Sequence, residues 1–267
     1  MKINKRDLIL DYIIEAYLDD NTPIGSVDLG LRMDGLIPAS TIRVYFKKLS
    51  DEGAIKQLHI SSGRVPTLVT MKNYWEKRLD FSQKLVINDS DVLAEISDSF
   101  KIYCMIFTSD DAILEEVINY RDRFIILSFD KDELVLKFDE RIYLFLLNLV
   151  GAELKELEKI SAQIGYSELR TKIKELKRSK IKFMANEVVA YDIFKDERFK
   201  LLLEPSVTTA FSKNLIFNPP FESGYMGVKR AVKFENKDAT MLCAGSVYED
   251  YEKFFNKIME AAWVQTR

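Results

Sequence analysis

The chain has 267 residues, more than one average domain, which predicts two or three domains that can each bury a sizeable core. Its 47% hydrophobic and 30% charged residues are typical of a soluble globular protein. The net charge of −3 argues against a broadly cationic protein that coats nucleic acid, while residues 1–85 carry 13 Lys and Arg against 11 Asp and Glu, an excess that suits a small, site-specific footprint.

The first 40 residues predict short helices separated by turns. Apolar residues of helical period from Leu8 to Tyr17 indicate a first helix. The segment 22–26 (T-P-I-G-S) forms a turn, and Ser26 is placed to cap a short second helix over residues 27–33. A turn over residues 35–39 leads into a third helix.

The third predicted helix has one apolar and one cationic face. Ser40 and Thr41 are residue types that cap a helix start, and Gly53 can take the left-handed conformation of a helix end. The apolar stripe, which must pack on a core, consists of Ile42, Tyr45, Phe46 and Leu49. The face that points outward consists of Arg43, Val44, Lys47 and Lys48.

A hairpin is predicted directly after this helix. Its strands run over residues 54–60 and onward from Arg64, and residues 61–63 (S-S-G) form the turn. Three helices with a short middle one and then a two-stranded hairpin indicate a winged helix-turn-helix, which can grip phosphates beside a groove. The alternative is a scaffolding unit, because an amphipathic helix with a solvated basic face is common.

The same region resembles the heat-inducible transcription repressor (HrcA) family. The matching segments are T-P-I-G-S at 22–26, S-T-I-R at 40–43, L-S-D-E-G at 49–53, Q-L-H-I-S-S-G-R-V-P-T at 57–67 and, more faintly, A-T-M-L-C-A-G-S-V-Y-E-D-Y-E-K-F-F at 239–255. The resemblance implies a bacterial repressor of chaperone genes that binds an inverted-repeat operator as a homodimer, assisted by a GroE-type chaperonin. It also implies a winged-helix domain, a GAF-like domain and a dimerisation domain inserted into the latter.

On this reading, ten residues are expected at the DNA: Ser40, Thr41, Arg43, Val44, Lys47, Lys48, His59, Ser61, Ser62 and Arg64. Arg43 and Lys47 project toward the major groove, and Val44 stands where the family has asparagine, so it can meet a thymine methyl. The phosphates are held by Ser40, Thr41 and Lys48. In the wing, the two serines and the arginine reach the backbone or minor groove. For His59 we prefer a hydrogen-bonded place in the base of the wing over direct DNA contact.

Downstream, the pattern predicts a helix over 72–86, a linker over 85–91 and a mixture of helices and strands in an α+β sensor-like domain. The further predicted elements are a helix over 91–100, strands over 102–108, 124–129, 134–138 and 240–247, a hairpin turn over 130–132 and a closing helix over 248–264. Residues 204–235 are read as loops around short strands that can form the rim of a ligand pocket.

Between these strands lies a predicted helical block. Apolar residues from Leu144 to Ile164 keep near-helical spacing, and a second helix follows over 167–182. Its lysines and arginine are read as a solvated face paired with glutamates, with a nucleic-acid patch as the alternative. The block is predicted to interrupt the α+β domain and to supply the dimer interface. The predicted domains are 1–85 (winged helix), 90–140 and 201–267 (two parts of a GAF-like domain) and 141–200 (inserted dimerisation region).

An enzyme is not expected, and neither a cofactor nor a metal site is predicted. The single histidine, His59, excludes most histidine-based catalytic sites, and the chain contains no P-loop or GxGxxG sequence. Cys104 and Cys243 are predicted as buried free thiols in a reducing cytosol. With neither a secretory signal nor a membrane span in the sequence, we expect a cytoplasmic protein. The rival functions are a small-molecule-responsive winged-helix regulator and a scaffold that contacts protein.

Overall fold

The computed structural model describes residues 4–59, 62–108, 112–130 and 132–264. The predicted turn residues Ser61 and Lys131 lie outside these ranges. In chain order the helices are α1 (Lys5–Asp20), α2 (Ser26–Arg32), α3 (Ala39–Asp51), α4 (Leu68–Arg78), α5 (Ser90–Ser99), α6 (Glu140–Leu147), α7 (Leu154–Gln163), α8 (Ser167–Ser179), α9 (Glu187–Phe194) and α10 (Tyr251–Val264). The strands are β1 (Ile55–Gln57), β2 (Arg64–Pro66), β3 (Leu85–Ile87), β4 (Tyr103–Phe107), β5 (Glu116–Tyr120), β6 (Phe124–Ser128), β7 (Glu133–Lys137), β8 (Ile181–Ala185), β9 (Leu215–Ile216), β10 (Tyr225–Phe234) and β11 (Lys237–Ser246).

The amino-terminal unit consists of α1, α2, α3 and the antiparallel hairpin β1–β2. Apolar side chains at helical spacing meet in one core, where Ile9, Leu29, Ile42 and Leu49 are fully buried. The predicted order of three helices and a hairpin is therefore present. The helices share one core because each has one apolar face to bury.

A central mixed sheet forms the middle of the molecule. Its strand order is β3-β10-β11-β4-β8, with β9 on β10, and only the β3–β10 pair is parallel. Helices α4, α5 and α10 cover one face. Helix α9 and two short 3-10 helices, Glu197–Leu201 and Pro205–Ala210, lie on the other. Because both faces are covered, β4 is buried along its whole length.

A separate unit is inserted between β4 and β8, which lie side by side in the central sheet. After Thr108 the chain leaves this sheet, and it returns at Lys180, whose carbonyl oxygen accepts the backbone N–H of Thr108 at 3.1 Å. The inserted unit has its own antiparallel sheet, β5-β6-β7, and its own apolar core with α6, α7 and α8. The packing of this unit begins near residue 112, whereas the predicted insertion begins at residue 141.

Placing the β6–β7 hairpin in the α+β domain is therefore wrong. The hairpin itself forms as predicted, with Ile125 opposite Leu136. Its buried residues pack on α7 and α8 instead of the central sheet. The predicted domain boundary at residue 141 does not fit this packing, because β7 precedes it while α6, α7 and α8, which share a core with β7, follow or cross it. An alternating strand pattern shows which face is buried but not what buries it.

The predicted long helix over residues 144–164 is also wrong. The chain forms α6 and α7, separated by a turn in which Gly151 has a φ of +90°. A continuous helix cannot include this left-handed conformation. The second helix, α8, forms close to its predicted limits, and Leu169 and Ile173 are fully buried. The apolar spacing of the first segment reflects two helices that pack against the same core.

Two further predictions about connections need correction. Residues 85–87, predicted as linker, form β3, which pairs in parallel with Val232–Phe234 of β10. Residues 225–234, predicted as loops around short strands, form one ten-residue strand, β10. Both strands owe their place to long-range pairing. The two cysteines are buried and free, as predicted, and they lie directly opposite each other on β4 and β11.

Candidate nucleic-acid interface

Helix α3 presents its cationic face outward, as its sequence predicts. Ile42, Phe46 and Leu49 are buried against the amino-terminal core. The exposed residues of this helix include Ser40, Arg43, Val44, Lys47 and Lys48, and Thr41 is half-buried. Val44 is 68% exposed although it is apolar, so it offers a hydrophobic contact in the middle of the cationic face. The exposed side of α3 therefore combines cationic, hydroxyl and apolar side chains, which are groups that can contact base edges in a DNA groove.

The predicted caps at the start of α3 and α2 are wrong. Helix α3 begins at Ala39 after Pro38, and α2 begins at Ser26 after Gly25; neither start has a side-chain cap. Ser40 lies within the first turn of α3, which leaves its hydroxyl free of a capping role. Pro38 suits this place because its fixed φ fits the start of a helix and it has no N–H to satisfy.

Arg43 is connected to the preceding helix. Its Nε donates a hydrogen bond of 3.1 Å to the hydroxyl of Ser26, the first residue of α2. The guanidinium remains exposed beyond this contact. Ser26 therefore also belongs to this surface, although the sequence predicted only a capping role for it. The hydrogen bond orients Arg43 and leaves its NH1 and NH2 groups available for an acceptor.

The hairpin after α3 is held in shape by backbone contacts. Ser62 carries most of them, since its hydroxyl donates to the carbonyl of His59 at 2.8 Å and accepts the N–H of the same residue at 2.9 Å. Gln57 donates from Nε2 to the carbonyl of Ser62 at 3.0 Å. The imidazole of His59 is exposed, so the preferred place in the base of the wing is wrong: the backbone of this residue makes the contacts.

A third segment joins the hairpin through the turn between α1 and α2. Ile24 exchanges two backbone hydrogen bonds with Arg64, of 3.0 and 2.8 Å. The approach is so close that a Cβ at Gly63 would lie 2.4 Å from the carbonyl oxygen of Ile24. Only glycine fits at position 63, and this close contact ties the hairpin to the turn between α1 and α2.

Arg64 lies between the hairpin and α3. Its guanidinium carbon is 5.9 Å from the centre of the Phe46 ring, and its Nε is buried without a hydrogen-bond partner in the described part of the chain. The side chain is half-buried. Arg64 therefore fixes the hairpin against α3, and its terminal nitrogens are the part that can reach a phosphate.

The cations of this surface differ from those nearby. Within the described ranges, Arg43, Lys47, Lys48 and the neighbouring Lys56 form no ion pair. The other arginines of the amino-terminal helices are paired: Arg6 with Asp7 and Glu52, and Arg32 with Asp19 and Asp20. Cations without an ion pair in the described ranges are thus grouped on the side formed by α3 and β1, although the chain as a whole is acidic. Lys56, which adds to this surface, was not singled out from the sequence.

The basic helix α8 is not a comparable surface. Lys172, Lys174, Lys177 and Arg178 each form an ion pair with a glutamate, and Lys180 pairs with Asp132 at 2.5 Å. This is the predicted solvated face with paired charges, and it leaves the α3–hairpin surface as the candidate site.

The candidate site is rigidly connected to the central sheet. Helix α4 follows β2, and its Trp75 is fully buried with Nε1 donating to the carbonyl of Val247 at 2.7 Å. The hydroxyl of Tyr248 donates to the carbonyl of Pro66 in β2 at 3.1 Å. Lys253 of α10 pairs with Asp19 of α1. Direct contacts therefore link the central unit to the amino-terminal unit.

Comparison with known proteins identifies the family. The model of the HrcA C-terminal domain matches residues 75–262. A heat-inducible transcription repressor HrcA of Helicobacter pylori is 33% identical over 259 residues, which are 97% of this chain and 96% of that protein. The chain belongs to the HrcA family.

Other HrcA relatives match less of the chain. The protein of the same name from Alkaliphilus metalliredigens is 28% identical over 121 residues, 45% of this chain and 35% of its own length. That from Chlamydia felis is 39% identical over 85 residues, or 30% and 22% of the two chains. The curated HrcA proteins are named as transcription repressors and not as enzymes, in agreement with the sequence-based expectation.

Solved structures show a weaker likeness. A hypothetical protein solved at 2.2 Å has a TM-score of 0.47 and 17% identity, covering 97% of both chains. An IclR family regulator from Brucella abortus has a TM-score of 0.26 and 8% identity over 97% of this chain and 92% of its own. Both scores are too low to establish a common fold. Of the helices described, none is both long and apolar enough to cross a bilayer.

Proposed function

We propose that this chain is a heat-inducible transcription repressor whose winged-helix unit binds an inverted-repeat operator of chaperone genes. The observation that carries the proposal is the uncompensated cationic surface of α3 beside the hairpin. The names of the relatives, which include a protein matched over 97% of this chain, support the same function. In this arrangement α3 enters the major groove and the hairpin lies along the backbone.

Each predicted contact has a role that its position supports. Arg43 and Lys47 reach base edges, and Val44 contacts a thymine methyl. The phosphates are held by Ser40, Thr41 and Lys48, with Lys56 added. Ser62 shapes the hairpin beside His59, Arg64 fixes the hairpin against α3, and His59 and Ser61 are assigned to the DNA backbone.

The operator would be bound by a homodimer, since an inverted repeat needs two recognition helices related by a two-fold axis. The inserted unit offers an apolar surface for the second copy. Leu144 and Leu147 of α6 are 55% and 40% exposed, and Val150 after it is 48% exposed. Contiguous exposed apolar residues of this kind mark interaction surfaces. The remaining parts of the proposal are a GAF-like central unit and assistance by a GroE-type chaperonin.

Heat would release the operator by unfolding the competent dimer, not through a small ligand. The dimer is the state that binds, so its loss reduces affinity for the repeat much more than a changed contact would. A protein that stays folded and dimeric at the heat-shock temperature and still releases DNA would contradict this mechanism.

The test is fluorescence anisotropy with two labelled duplexes, one carrying the inverted repeat upstream of the host chaperone operon and one a scrambled control. We expect repeat-selective binding that weakens with salt but persists at physiological ionic strength, because phosphate contacts release counterions. Equal weak binding to both duplexes would contradict operator recognition.

A further inference from the structure

A cavity of about 440 Å³ lies between the central sheet, the 3-10 helix Pro205–Ala210 and the inserted unit. Its walls include the apolar residues Phe107, Leu154 and Leu176, which are at most 9% exposed. The volume of this cavity is within the range of small-molecule sites.

The polar part of the lining is strongly cationic. Lys155, Lys177, Lys180 and Lys229 line the cavity, while Asp132 is the one acid among the described lining residues. Asp132 is paired with Lys180, and Lys177 pairs with Glu158 outside the lining. Lys155 and Lys229 form no ion pair within the described part of the chain, so cations outnumber acids among the described lining residues.

The strand register directs Lys229 to this cavity. Side chains alternate between the two faces of β10. Arg230 also borders the cavity, but its guanidinium carbon lies 5.1 Å from the centre of the Phe255 ring on the opposite face. Lys229 and Ala231 therefore share the cavity face with Thr240, which lies opposite Ala231 on β11.

Hydroxyl groups complete the lining. Thr208 and Thr209 donate to the carbonyls of Pro205 and Ser206 at 2.8 Å each. The hydroxyls of Ser206 and Thr240 make no hydrogen bond to the described residues and line the cavity beside the lysines. Hydroxyl donors next to uncompensated lysines are suited to the oxygens of an anion.

A second cavity shows that this charge pattern is not general. The space of about 520 Å³ between α1 and α4 is lined by three acids and three cations. These are Asp11, Glu15, Glu52, Arg6, Lys77 and Arg78. Its charges balance, whereas cations outnumber acids among the described lining residues of the first cavity.

We propose that the first cavity binds a small organic anion, a molecule with an apolar body and one carboxylate or phosphate group. The apolar body would lie against Phe107 and Leu176, and the anionic group between Lys155 and Lys229. Because the lining comes from both the central sheet and the inserted unit, a bound molecule joins the two and stabilises the folded chain by mass action. This site is separate from the DNA-binding surface and does not depend on the proposed function.

The test uses calorimetric titration of the full chain with four probes: phenyl phosphate, benzoate, inorganic phosphate and benzamide. We expect one aryl anion to bind at one site with a Kd below about 1 mM, and the uncharged benzamide not to bind. Preference for phenyl phosphate would assign a phosphate monoester, and preference for benzoate a carboxylate. The Lys229→Gln variant should bind the preferred probe about tenfold more weakly, because a charge-assisted hydrogen bond is lost.

Two further variants locate the binding. Lys233→Gln removes a lysine from the same strand outside the cavity lining and should leave the affinity unchanged. Ala231→Trp fills the cavity without changing charge and should abolish binding, with far-UV circular dichroism confirming that each variant is folded. The proposal is overturned if neither aryl anion binds, if inorganic phosphate binds as tightly as phenyl phosphate, or if binding survives both Lys229→Gln and Ala231→Trp. DNA binding by the unliganded chain, measured separately, tests only the repressor function.

Discussion

At the scale of single residues, Gly63 connects the hairpin to the helices. A methyl group at this position would meet the backbone of Ile24 at 2.4 Å, closer than any ordinary contact. We expect Gly63→Ala to lower the free energy of unfolding by about 1–3 kcal/mol, as overpacking does, and to weaken operator binding by displacing the hairpin. Urea unfolding and anisotropy would measure the two effects.

The matched control is Gly30→Ala in α2. An added Cβ there meets the side chain of Ile42 at 3.6 Å, an ordinary contact. Since alanine favours a helix over glycine by roughly 0.5–1 kcal/mol, this variant should be at least as stable as the original chain. Equal stability of the two variants would show that the close contact between Gly63 and the backbone of Ile24 tolerates a side chain.

Arg43 and Lys48 should differ in what their loss does to recognition. Arg43→Ala should cost about 1–3 kcal/mol of operator binding and relax specificity at one base pair, because a base contact disappears. Lys48→Ala should weaken binding to all sequences alike and reduce the salt slope by about one, since only a phosphate contact is lost. Anisotropy titrations against single-base operator variants distinguish the two patterns. A uniform loss for Arg43→Ala would reduce its role to that of a phosphate contact.

At the scale of elements, α4 connects the amino-terminal unit to the central sheet through Trp75. Trp75→Phe removes the donor to the buried carbonyl of Val247 and shrinks a fully buried ring. We expect the free energy of unfolding to fall by about 1–3 kcal/mol, the cost of an unsatisfied buried group.

The neighbouring Tyr74→Phe serves as its control, with chemical unfolding as the measurement. The Tyr74 hydroxyl makes no hydrogen bond to the described residues, so its removal should have little effect. A loss for Trp75→Phe no larger than a small loss for Tyr74→Phe would contradict a stabilising role of the indole hydrogen bond.

The contact between α1 and α10 should depend on pH. Partial burial alone would raise the pKa of Asp19, but hydrogen bonds and positive charge from Lys253 and Arg32 outweigh it and hold that pKa below its ordinary value. A lowered carboxyl pKa stabilises the fold above the unfolded pKa of about 4, and this stability is lost as pH falls through the folded pKa. Because the side chain is 39% exposed, the effect should be about 0.5–1 kcal/mol at neutral pH.

The corresponding variant is Asp19→Asn, compared with Glu76→Gln, which removes an exposed acid that forms no ion pair within the described ranges. Asp19→Asn should be less stable than the original chain at pH 7 and the difference should be smaller near pH 3, while Glu76→Gln changes little at either pH. Thermal unfolding at both pH values measures this. A deficit for Asp19→Asn that persists at low pH would point to a cause other than charge.

At the scale of the whole molecule, the proposed dimer depends on the inserted unit. Leu144→Glu places a charge on the exposed apolar side of α6, and burying it at an interface would be costly. Sedimentation velocity should then show a 31.0 kDa monomer in place of a dimer. Operator affinity should fall by about a hundredfold or more, because two linked half-sites no longer bind together.

Val188→Glu is the control for this change. Val188 lies on α9, outside the inserted unit, and is 71% exposed. This variant should remain dimeric and bind the operator normally. A dimer that persists in Leu144→Glu would place the interface elsewhere on the molecule.

The features that could be predicted from sequence are local. The stripe Ile42, Phe46 and Leu49 identifies the buried side of α3, and the opposite side is exposed as its charges require. The S-S-G turn and its flanking residues indicate the hairpin, and the β6–β7 pair follows from two alternating strands with a short connection. Each signal lies within a short segment of the sequence, where the spacing of residues determines which face of a helix or strand they occupy.

Contacts between segments that are distant in sequence were decided only by the tertiary structure. The pairing of β3 with β10, the core that joins β7 to α8, and the place of Ile24 beside Gly63 all link residues far apart in sequence. Charge compensation belongs to the same class, since Arg32 and Lys47 look alike in sequence and only the fold pairs the first with Asp19. Periodicity records that a residue is buried or exposed, but not which partner it meets, because partners are chosen by the packing of the whole chain.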